Sequence, residues 1–348
     1  MGARRDHRVL DIASQAGLSR ATVDRALHGR EGVRPETIAQ VNQAIAELER
    51  QREQVHLSGR TLILDLVMQT PERFALASRQ ALEAELRSLR PAVLRARSHL
   101  TEHSDPAAAA ALLDSVGRKL SHGVILKAPD HPLVVEAVDR LAERGIPTIT
   151  FTTDVPTSRR AAYVGMDNVA AGSTAAYLIT QFAGRSGSVL LTVSHSSFRG
   201  EEERGLGFRQ TLAELAPRRT VHEVKDTDGL DASIFVAVRG ALALHPSINA
   251  VYSAGGGNVA TLKAFEEIGV TPKVYIAHDL DGDNRGLLRT RQVAAVLHHD
   301  LRADMRRACR LMLQARGILP GRPGSIPSQV QVVTPYNEPS SIYDGAEL

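Results

Sequence analysis

Residues 9–29, VLDIASQAGLSRATVDRALHG, contain two short segments with helical apolar spacing and a small-residue turn between them. Gly17 suits the tight bend, and Ser19 stands where its hydroxyl can cap the second segment. A third segment opens with Pro35 and carries apolar residues at steps of three and four. The sequence therefore predicts three successive helices, at residues 11–16, 20–27 and 35–49.

The composition is that of a globular protein with more than one core. The chain has 348 residues, 43% of them hydrophobic, and no run approaches the roughly 18 consecutive apolar residues of a membrane span. Its polar start lacks the apolar core of a signal peptide, so we expect a cytoplasmic protein that makes no membrane contact. Cys309 is the only cysteine, which excludes an internal disulfide framework. We expect neither a metal nor a cofactor.

The positive charge of the chain is concentrated at its start. Residues 1–34 contain seven arginines and four acidic residues, and this surplus accounts for the whole formal charge of +3. Arginine is a bidentate partner for phosphate and guanine. If the protein binds nucleic acid, the charge distribution favours this end.

Beyond residue 60, short β-rich apolar runs alternate with segments of helical length. Near-continuous apolar strands separated by crossover helices indicate parallel sheets that are covered on both faces. We therefore predict two doubly wound lobes, with a ligand site outside the carboxyl ends of the strands. The runs lie at residues 61–68, 124–128, 147–152, 188–194, 250–254, 273–279 and 293–299.

Residues 9–48 resemble the DNA-binding domain of the lactose-repressor (LacI) family of bacterial transcription factors. The likeness rests on VLDIASQAGLSRATVDRALHG followed by VRPETIAQVNQAIAEL. The later part of the chain resembles that family's effector domain, which is similar to periplasmic sugar-binding proteins of the ribose type. The motifs that carry this second likeness are YVGMDNVAAGSTAAYLI (163–179), GEEERGLGFRQTL (200–212) and VYSAGGGNVATLKAFEEIG (251–269).

The resemblance implies a helix-turn-helix whose second helix enters the major groove of DNA by its N-terminal end. Arg20 and Ala21 then occupy base-reading positions, and Arg25 lies one turn further along the same face. Short or flat polar groups suited to phosphate oxygens accompany them. These are Ser19, Thr22, His28 and Thr37.

Two features of this region depart from the family pattern. Asp24 stands where the family usually has serine, which places a carboxylate beside the phosphates. Family members follow the third helix with a Tyr-x-Pro-Asn stretch and a short hinge helix, but Tyr and Pro-Asn are absent here. Residues 50–60, RQREQVHLSGR, are predicted to form a shortened linker, and the sequence leaves open whether a hinge helix forms in it. Leu57 matches by residue type the leucine that family members insert into the minor groove.

Asp279 is the first candidate for effector binding, because the resemblance places it at a strand end, at the position of the family's ligand carboxylate. Asn258, after the glycines at 255–257, and Phe74, a candidate stacking surface, are further predicted contacts. A family arginine is replaced by Glu202, and Arg199, three residues earlier, is a candidate to substitute for it.

Two other family positions also differ in the predicted effector site. An Asp-Arg pair is replaced by two threonines, which leaves Asp154 and Asp167 as the nearest acids. His299 takes the place of a glutamine. These differences indicate that the pocket does not copy a ribose site.

The predicted organisation is a helix-turn-helix domain at residues 1–49, the linker at 50–60 and an effector domain at 61–348. We place its first lobe at about 61–162 and 295–325, and its second at about 163–292 and 328–348. The predicted protein is a ligand-responsive regulator, expected to be a repressor, that binds double-stranded operator DNA as a homodimer and senses a sugar, polyol or similar small polar metabolite.

Two other functions are alternatives to this prediction. Gly255, Gly257 and Ala260 show the G-x-G-x-x-A spacing of a dinucleotide-binding loop, which would suit an NAD(P)-binding enzyme. That loop lies deep in the α/β region, whereas a dinucleotide-binding domain usually begins with it. A stand-alone solute-binding protein would explain the region beyond residue 60 but not the helical start.

Overall fold

The computed structural model describes residues 7–89, 92–103, 105–194, 198–225 and 230–339. The chain divides into two compact units, one of Met1–Thr61 with Leu89–Val93 and one of Leu62–Ser88 with Leu94–Leu348. No helix in the described ranges is both long enough and apolar enough to span a membrane.

The first unit contains three helices, as the sequence predicted. They are α1 (Val9–Ala16), α2 (Arg20–Leu27) and α3 (Pro35–Leu57). Gly17 adopts a φ of 63° after α1, and the Ser19 hydroxyl accepts a hydrogen bond from the Thr22 amide at 3.1 Å. These two residues set the turn and the start of α2. One small core joins the three helices; its buried members are Ile12, Ala13, Ala16, Val23, Ala26, Val41 and Ala44.

The predicted linker at residues 50–60 is wrong over most of its length, because α3 continues through Leu57. The segment contains no proline and only one glycine, at position 59. Glu, Gln, Arg and Leu all have good helix propensity, so nothing in residues 50–57 stops a helix that has already begun. The absence of an apolar stripe misled the sequence-based prediction.

The second unit contains two sheets with helices on their faces, which confirms the predicted fold class. The first sheet has the order β2–β1–β3–β4–β5, and the pairs β1–β3, β3–β4 and β4–β5 are parallel. Its strands are β1 (Thr61–Gln69), β2 (Val93–Thr101), β3 (Gly123–Lys127), β4 (Thr148–Phe151) and β5 (Ala162–Val164).

The second sheet has the order β11–β10–β9–β8–β6–β7. Only the β10–β11 pair among those described is antiparallel. The strands are β6 (Ser188–Val193), β7 (Thr220–Lys225), β8 (Ile248–Ser253), β9 (Val274–His278), β10 (Ala295–His298) and β11 (Gln331–Val333).

Helices cover both faces of each parallel region. In β6, Leu190 packs into one core while Val189 and Leu191 pack into the core on the opposite face. A strand buried on both sides must be apolar at successive positions, which explains the uninterrupted apolar runs. The helices are α4 (Glu72–Ser88), α5 (Pro106–Arg118), α6 (Pro132–Glu143), α7 (Asn168–Ala183), α8 (Arg199–Leu215), α9 (Asp231–Leu244), α10 (Asn258–Ile268), α11 (Gly282–Arg289) and α12 (Leu301–Ala315).

The chain returns to the first lobe later than predicted. The sequence predicts that return at about residue 295, but β10 (Ala295–His298) pairs with β9 in the second sheet. Within the predicted returning segment 295–325, α12 lies in the first lobe, where it packs against α4. Glu85 of α4 has a fully buried side chain and accepts hydrogen bonds from Arg302 and Arg306 of α12. This cluster fixes the returning helix.

Candidate functional site

The structure exposes the predicted base-reading face of α2. Arg20, Ala21 and Arg25 all lie at the surface. Thr22 and Arg25 line a shallow surface recess together with Thr37 at the start of α3. The predicted phosphate-binding groups Thr22 and Thr37 are thus brought together around an arginine, at the N-terminus of a long helix.

Asp24 has two basic neighbours, neither of them on the base-reading face. Its carboxylate lies 3.2 Å from Nδ1 of His28 and 3.4 Å from the Arg30 guanidinium. His28 Nδ1 also lies 2.8 Å from the backbone carbonyl of Asp24. The Asp24 carboxylate is therefore paired, and Arg20 and Arg25 are not drawn into ion pairs with it.

Leu57 is placed differently from a groove-inserting residue. It lies at the end of α3 and is only 4% exposed. Its side chain would have to be uncovered before it could enter a minor groove.

A cleft lies between the two lobes, at the carboxyl ends of the strands, as predicted. The first lobe contributes Thr70, Arg73, Phe74, Glu102, Lys127, Thr152 and Thr153. The second lobe contributes Ser194, Phe198, Glu201, Arg204, Gly255, Gly256, His278, Asp279, Asp281 and Asn284.

Two cleft residues have unusual backbone conformations. Thr152 has a φ of 61° and Asp279 a φ of 64°, and only Arg291 shares this property among the described non-glycine residues. A positive φ is costly for a β-branched side chain such as threonine. Such strain is concentrated at ligand sites, where it orients side chains.

The structure brings four of the eight predicted effector residues to the cleft or directly behind it. Phe74 and Asp279 line it. His299 is buried behind Asp279, with Nε2 at 3.7 Å from the carboxylate, and its Nδ1 contacts Asp304. Asn258 donates to Asn284, a cleft residue, at 2.7 Å.

The other four predicted residues lie elsewhere, each held by a different contact. Asp154 pairs with Arg160. Asp167 caps α7 by accepting from the Ala170 amide at 2.9 Å. Glu202 faces Arg209 and Lys225 on the surface. Arg199 pairs with Asp130 and Glu203, outside the cleft lining.

Sequence reasoning missed Glu201 and Arg204, which lie three residues apart on the face of α8 that lines the cleft. Arg204 is buried, donates to Asn168 at 2.9 Å and to the Ala254 carbonyl at 2.8 Å, and lies 3.8 Å from Asp279. The helical spacing of the motif could have revealed them. The buried residues of α8 include 204, 205, 207 and 208, and this helix phase turns residue 202 away from the cleft.

Lys127 was also missed, although it ends an otherwise apolar strand. Its Nζ lies 4.0 Å from the centre of the Phe198 ring and 5.9 Å from that of Phe74. Burial is the main cause that lowers the pKa of Lys127 to about 8, while the Glu201 charge opposes this shift. A charged residue at the carboxyl end of a buried parallel strand was the available signal.

Two further cleft groups have shifted pKa values. Burial raises the pKa of Asp281 to about 6, against the opposing effects of the Asn284 amide and the Arg73 charge. Burial also holds the pKa of His278 well below its usual value, so this ring is neutral at physiological pH. Its Nε2 lies 2.7 Å from the Tyr252 hydroxyl.

Two ion pairs join the lobes across the cleft. Arg73 of the first lobe lies 3.2 Å from Asp281 of the second. Arg199 of the second lobe lies 3.6 Å from Asp130 of the first. Each pair joins a residue of the first lobe to a residue of the second, so both stabilise an arrangement in which the lobes approach each other.

The glycines of the dinucleotide-like loop serve close packing. A Cβ at Gly255 would lie 2.1 Å from the Ser194 hydroxyl, and one at Gly257 would lie 2.1 Å from Ile234. Glu201 is a further close neighbour of Gly255. A carboxylate at that place would repel a pyrophosphate. Among the described residues, no group of three or more His, Cys, Asp or Glu side chains could hold a metal ion.

Comparison with solved structures shows the fold of sugar-binding proteins. A solute-binding protein from Burkholderia graminis, in complex with D-arabinose, is 19% identical and has a TM-score of 0.73, covering 80% of this chain and 97% of its own. A glucose-galactose binding protein from Geobacillus stearothermophilus is 18% identical, with a TM-score of 0.72 and coverage of 81% and 100%. A periplasmic solute-binding protein from Actinobacillus succinogenes with bound D-allose is 16% identical, with a TM-score of 0.69 and coverage of 79% and 98%.

Family models match both parts of the chain. Residues 67–317 match the periplasmic binding protein domain, and residues 9–52 match the bacterial regulatory proteins of the lacI family. No curated protein matches the chain in sequence. With a helix-turn-helix head followed by a periplasmic-binding-protein domain, the chain belongs to the lacI family of bacterial regulatory proteins.

Proposed function

We propose that this protein is a transcriptional repressor that binds operator DNA as a homodimer in the cytoplasm and senses a sugar, polyol or related polar metabolite. One observation carries the proposal. The same chain holds a helix-turn-helix with its reading face exposed and a two-lobed cleft lined by charged and polar groups. Neither an isolated solute-binding protein nor an NAD(P)-dependent enzyme accounts for both.

The exposed face of α2 supports base reading. Arg20 lies in the first turn of α2, where a side chain can reach a base edge, and an arginine there can donate two hydrogen bonds to guanine. Thr22, Arg25 and Thr37 surround a recess that suits a phosphate. Two copies of the head would supply the contacts that a two-fold operator requires.

The cleft supports ligand sensing. Asp279 and Glu201 offer carboxylate acceptors to hydroxyl groups, while Arg204 offers a donor. Closure of the lobes would surround a ligand of this kind with polar partners, as in other hinged binding proteins. A ligand that binds the closed arrangement more tightly shifts the population toward it, and the head responds through that shift.

The DNA-binding part is tested by selecting an operator from random duplex DNA with the full-length protein. Arg20→Ala should then lose roughly 1 to 3 kcal/mol of discrimination at a single base pair. Arg30→Ala is the matched control, since Arg30 is exposed beside Asp24 and outside the reading face. Equal weakening on every sequence would reduce Arg20 to a phosphate contact, and failure to select any sequence would favour a stand-alone solute-binding protein.

The sensing part is tested by thermal shift with neutral sugars, sugar acids, polyols and NAD(P). We expect a higher melting temperature with a member of the sugar and polyol classes only. The same compound should then change the affinity for the selected operator, and release from the operator would identify a repressor. A melting shift with NAD(P) alone would refute the proposed ligand class.

A further inference from the structure

Lys127 presents an unsatisfied cation to the cleft. It ends β3, a strand whose other residues are buried. Its ammonium lies over the Phe198 ring, 4.0 Å from the ring centre, and 5.9 Å from the centre of the Phe74 ring. Within the described residues, Nζ has no hydrogen-bond acceptor and no ion-pair partner. An ammonium has three N–H donors, and leaving these donors without acceptors when the group is partly buried costs free energy.

The other two cations of the cleft differ from Lys127, because each has a carboxylate beside it. Arg73 lies 3.2 Å from Asp281. Arg204 is held by Asn168 and the Ala254 carbonyl, and lies 3.8 Å from Asp279. Lys127 is therefore the cation in the cleft whose donors remain available to a ligand.

The ring faces around Lys127 favour a particular kind of ligand. A neutral pyranose commonly packs its apolar face on an aromatic ring, but here the ammonium covers the Phe198 ring. A ligand that reaches this wall of the cleft meets a positive charge over a phenyl ring. The partner that satisfies such a group best is an anionic oxygen, because a hydrogen bond between two charged groups is stronger than one to a neutral hydroxyl.

The carboxylates of the cleft limit the size of the ligand's negative charge and the position that its charged group can occupy. Glu201 and Asp279 also line the cleft and would repel a second anionic group. One available cation fits a single carboxylate better than a doubly charged phosphate. The two acids suit hydroxyl groups, which donate hydrogen bonds to carboxylates.

We propose that the effector is a sugar acid, an aldonate or uronate, whose carboxylate pairs with Lys127 while its hydroxyl groups bind Asp279 and Glu201. This inference rests on the proposed function, since it names the ligand class of the same cleft. The uneven charge of the cleft would hold the ligand in one orientation, with its carboxylate toward the first lobe and its hydroxyl groups toward the second.

The test compares matched ligand pairs by isothermal titration calorimetry on the full-length protein. The pairs are D-gluconate with D-glucose, D-galacturonate with D-galactose, and D-arabinonate with D-arabinose. At pH 7 we expect the acid of at least one pair to bind at least about tenfold more tightly than its neutral partner. Lys127→Met should remove that preference, whereas Lys119→Met, the same change at an exposed position, should retain it.

A pH series on the wild type supplies a readout that does not depend on a variant folding. Burial is the main cause that lowers the pKa of Lys127 to about 8. Of the charged groups that act on it, Glu201 and Asp279 raise the pKa and Arg204 lowers it. The affinity for the sugar acid should fall about tenfold from pH 7 to pH 9, as the ammonium loses its proton. Lys127→Gln, a polar alternative to the methionine variant, should show a flat profile.

The outcomes separate this inference from the proposed function. Equal binding of acids and neutral sugars, or an acid preference that survives in Lys127→Met and Lys127→Gln, overturns the role of Lys127 and leaves a sugar-sensing regulator. Absence of binding by every sugar and sugar acid overturns the ligand class in both proposals. A flat wild-type pH profile for a bound acid also overturns the pairing with Lys127.

Discussion

Replacement of Glu85 by glutamine tests how the returning helix α12 is fixed to the first lobe. The Glu85 side chain is fully buried and accepts from Arg302 Nε at 2.6 Å, Arg306 Nε at 2.7 Å and a second Arg306 nitrogen at 3.1 Å. Glutamine has almost the same shape, but it turns an NH2 group toward guanidinium donors. The substitution therefore removes the charge and sets donor against donor.

The expected cost follows from these contacts. A hydrogen bond to a charged group contributes about 1.5 to 3 kcal/mol, and breaking one side of a fully buried pair costs about 3 to 5 kcal/mol. Both arginine side chains are about half exposed, at 50% and 53%, so solvent screening reduces the upper value. We expect Glu85→Gln to lower the free energy of unfolding by about 2 to 3 kcal/mol.

The control is Glu83→Gln, the same change two residues away on the same helix. Glu83 is 56% exposed and lies 3.7 Å from Arg79, so its loss should cost less than about 0.5 kcal/mol. Urea denaturation followed by circular dichroism measures both variants against the wild type. Equal midpoints for Glu85→Gln and Glu83→Gln would refute the argument from burial.

The pH dependence of the Glu85 effect has a definite sign. Burial tends to raise the pKa of Glu85, but the hydrogen bonds from Arg306 and Arg302 lower it below the ordinary value of 4.5. A carboxylate with a depressed folded-state pKa contributes its full stability above the unfolded-state pKa, and that contribution is lost as the pH falls through the folded-state pKa. The difference between wild type and Glu85→Gln should therefore be constant from pH 6 to 8 and shrink at pH values below about 4.

Two further variants probe the second lobe and the cleft. A Cβ at Gly172 would lie 1.9 Å from the Arg204 carbonyl oxygen, so Gly172→Ala should lower the free energy of unfolding, measured by urea denaturation, by about 1 to 3 kcal/mol. Its control is Gly240→Ala, at an open position in α9, which should leave the free energy of unfolding unchanged or raise it by up to about 1 kcal/mol. Asp279→Asn keeps a side chain that tolerates positive φ but removes its charge, and should weaken effector binding about five- to tenfold by calorimetry. Asp154→Asn changes a carboxylate that contacts Arg160, Thr150 and the Val155 amide rather than the cleft, and it should leave effector affinity within about twofold. A similar loss in both variants would contradict the placement of Asp279 in the cleft.

The strands that could be predicted from the sequence share one structural property. All seven apolar runs became interior strands, namely β1, β3, β4, β6, β8, β9 and β10. The four strands that were missed, β2, β5, β7 and β11, are the four sheet edges. An interior parallel strand is apolar on both faces, whereas an edge strand is partly open to solvent and carries polar residues, as in the sequence VLRARSHLT of β2.

Those cleft residues that come immediately after a strand could be predicted from the sequence. Asp279 does so, because it is the residue after β9, and the positive φ that turns it into the cleft was not needed to find it. Whether a residue of α8 faces the cleft depends on the rotational phase of that helix. The sequence likeness pointed to Glu202, but the helix phase turns Glu201 and Arg204 toward the cleft instead. Asp154 and Asp167 were chosen for their nearness in sequence to an altered motif, and local contacts with Arg160 and the α7 amides hold them instead.

A chain of polar contacts connects the cleft to the segments that cross between the lobes. Asp279, which faces the cleft, lies 3.7 Å from Nε2 of His299, a buried atom without a hydrogen-bond partner among the described residues. His299 contacts Asp304, Asp304 accepts from Ser328, and the Ser328 amide donates to the Gly165 carbonyl at 2.8 Å. Gly165 and Ser328 belong to two different crossing segments. Coupling requires an element whose arrangement the ligand can bias. If the proposed effector binds Asp279, it contacts the first residue of a path that ends at the two segments crossing between the lobes.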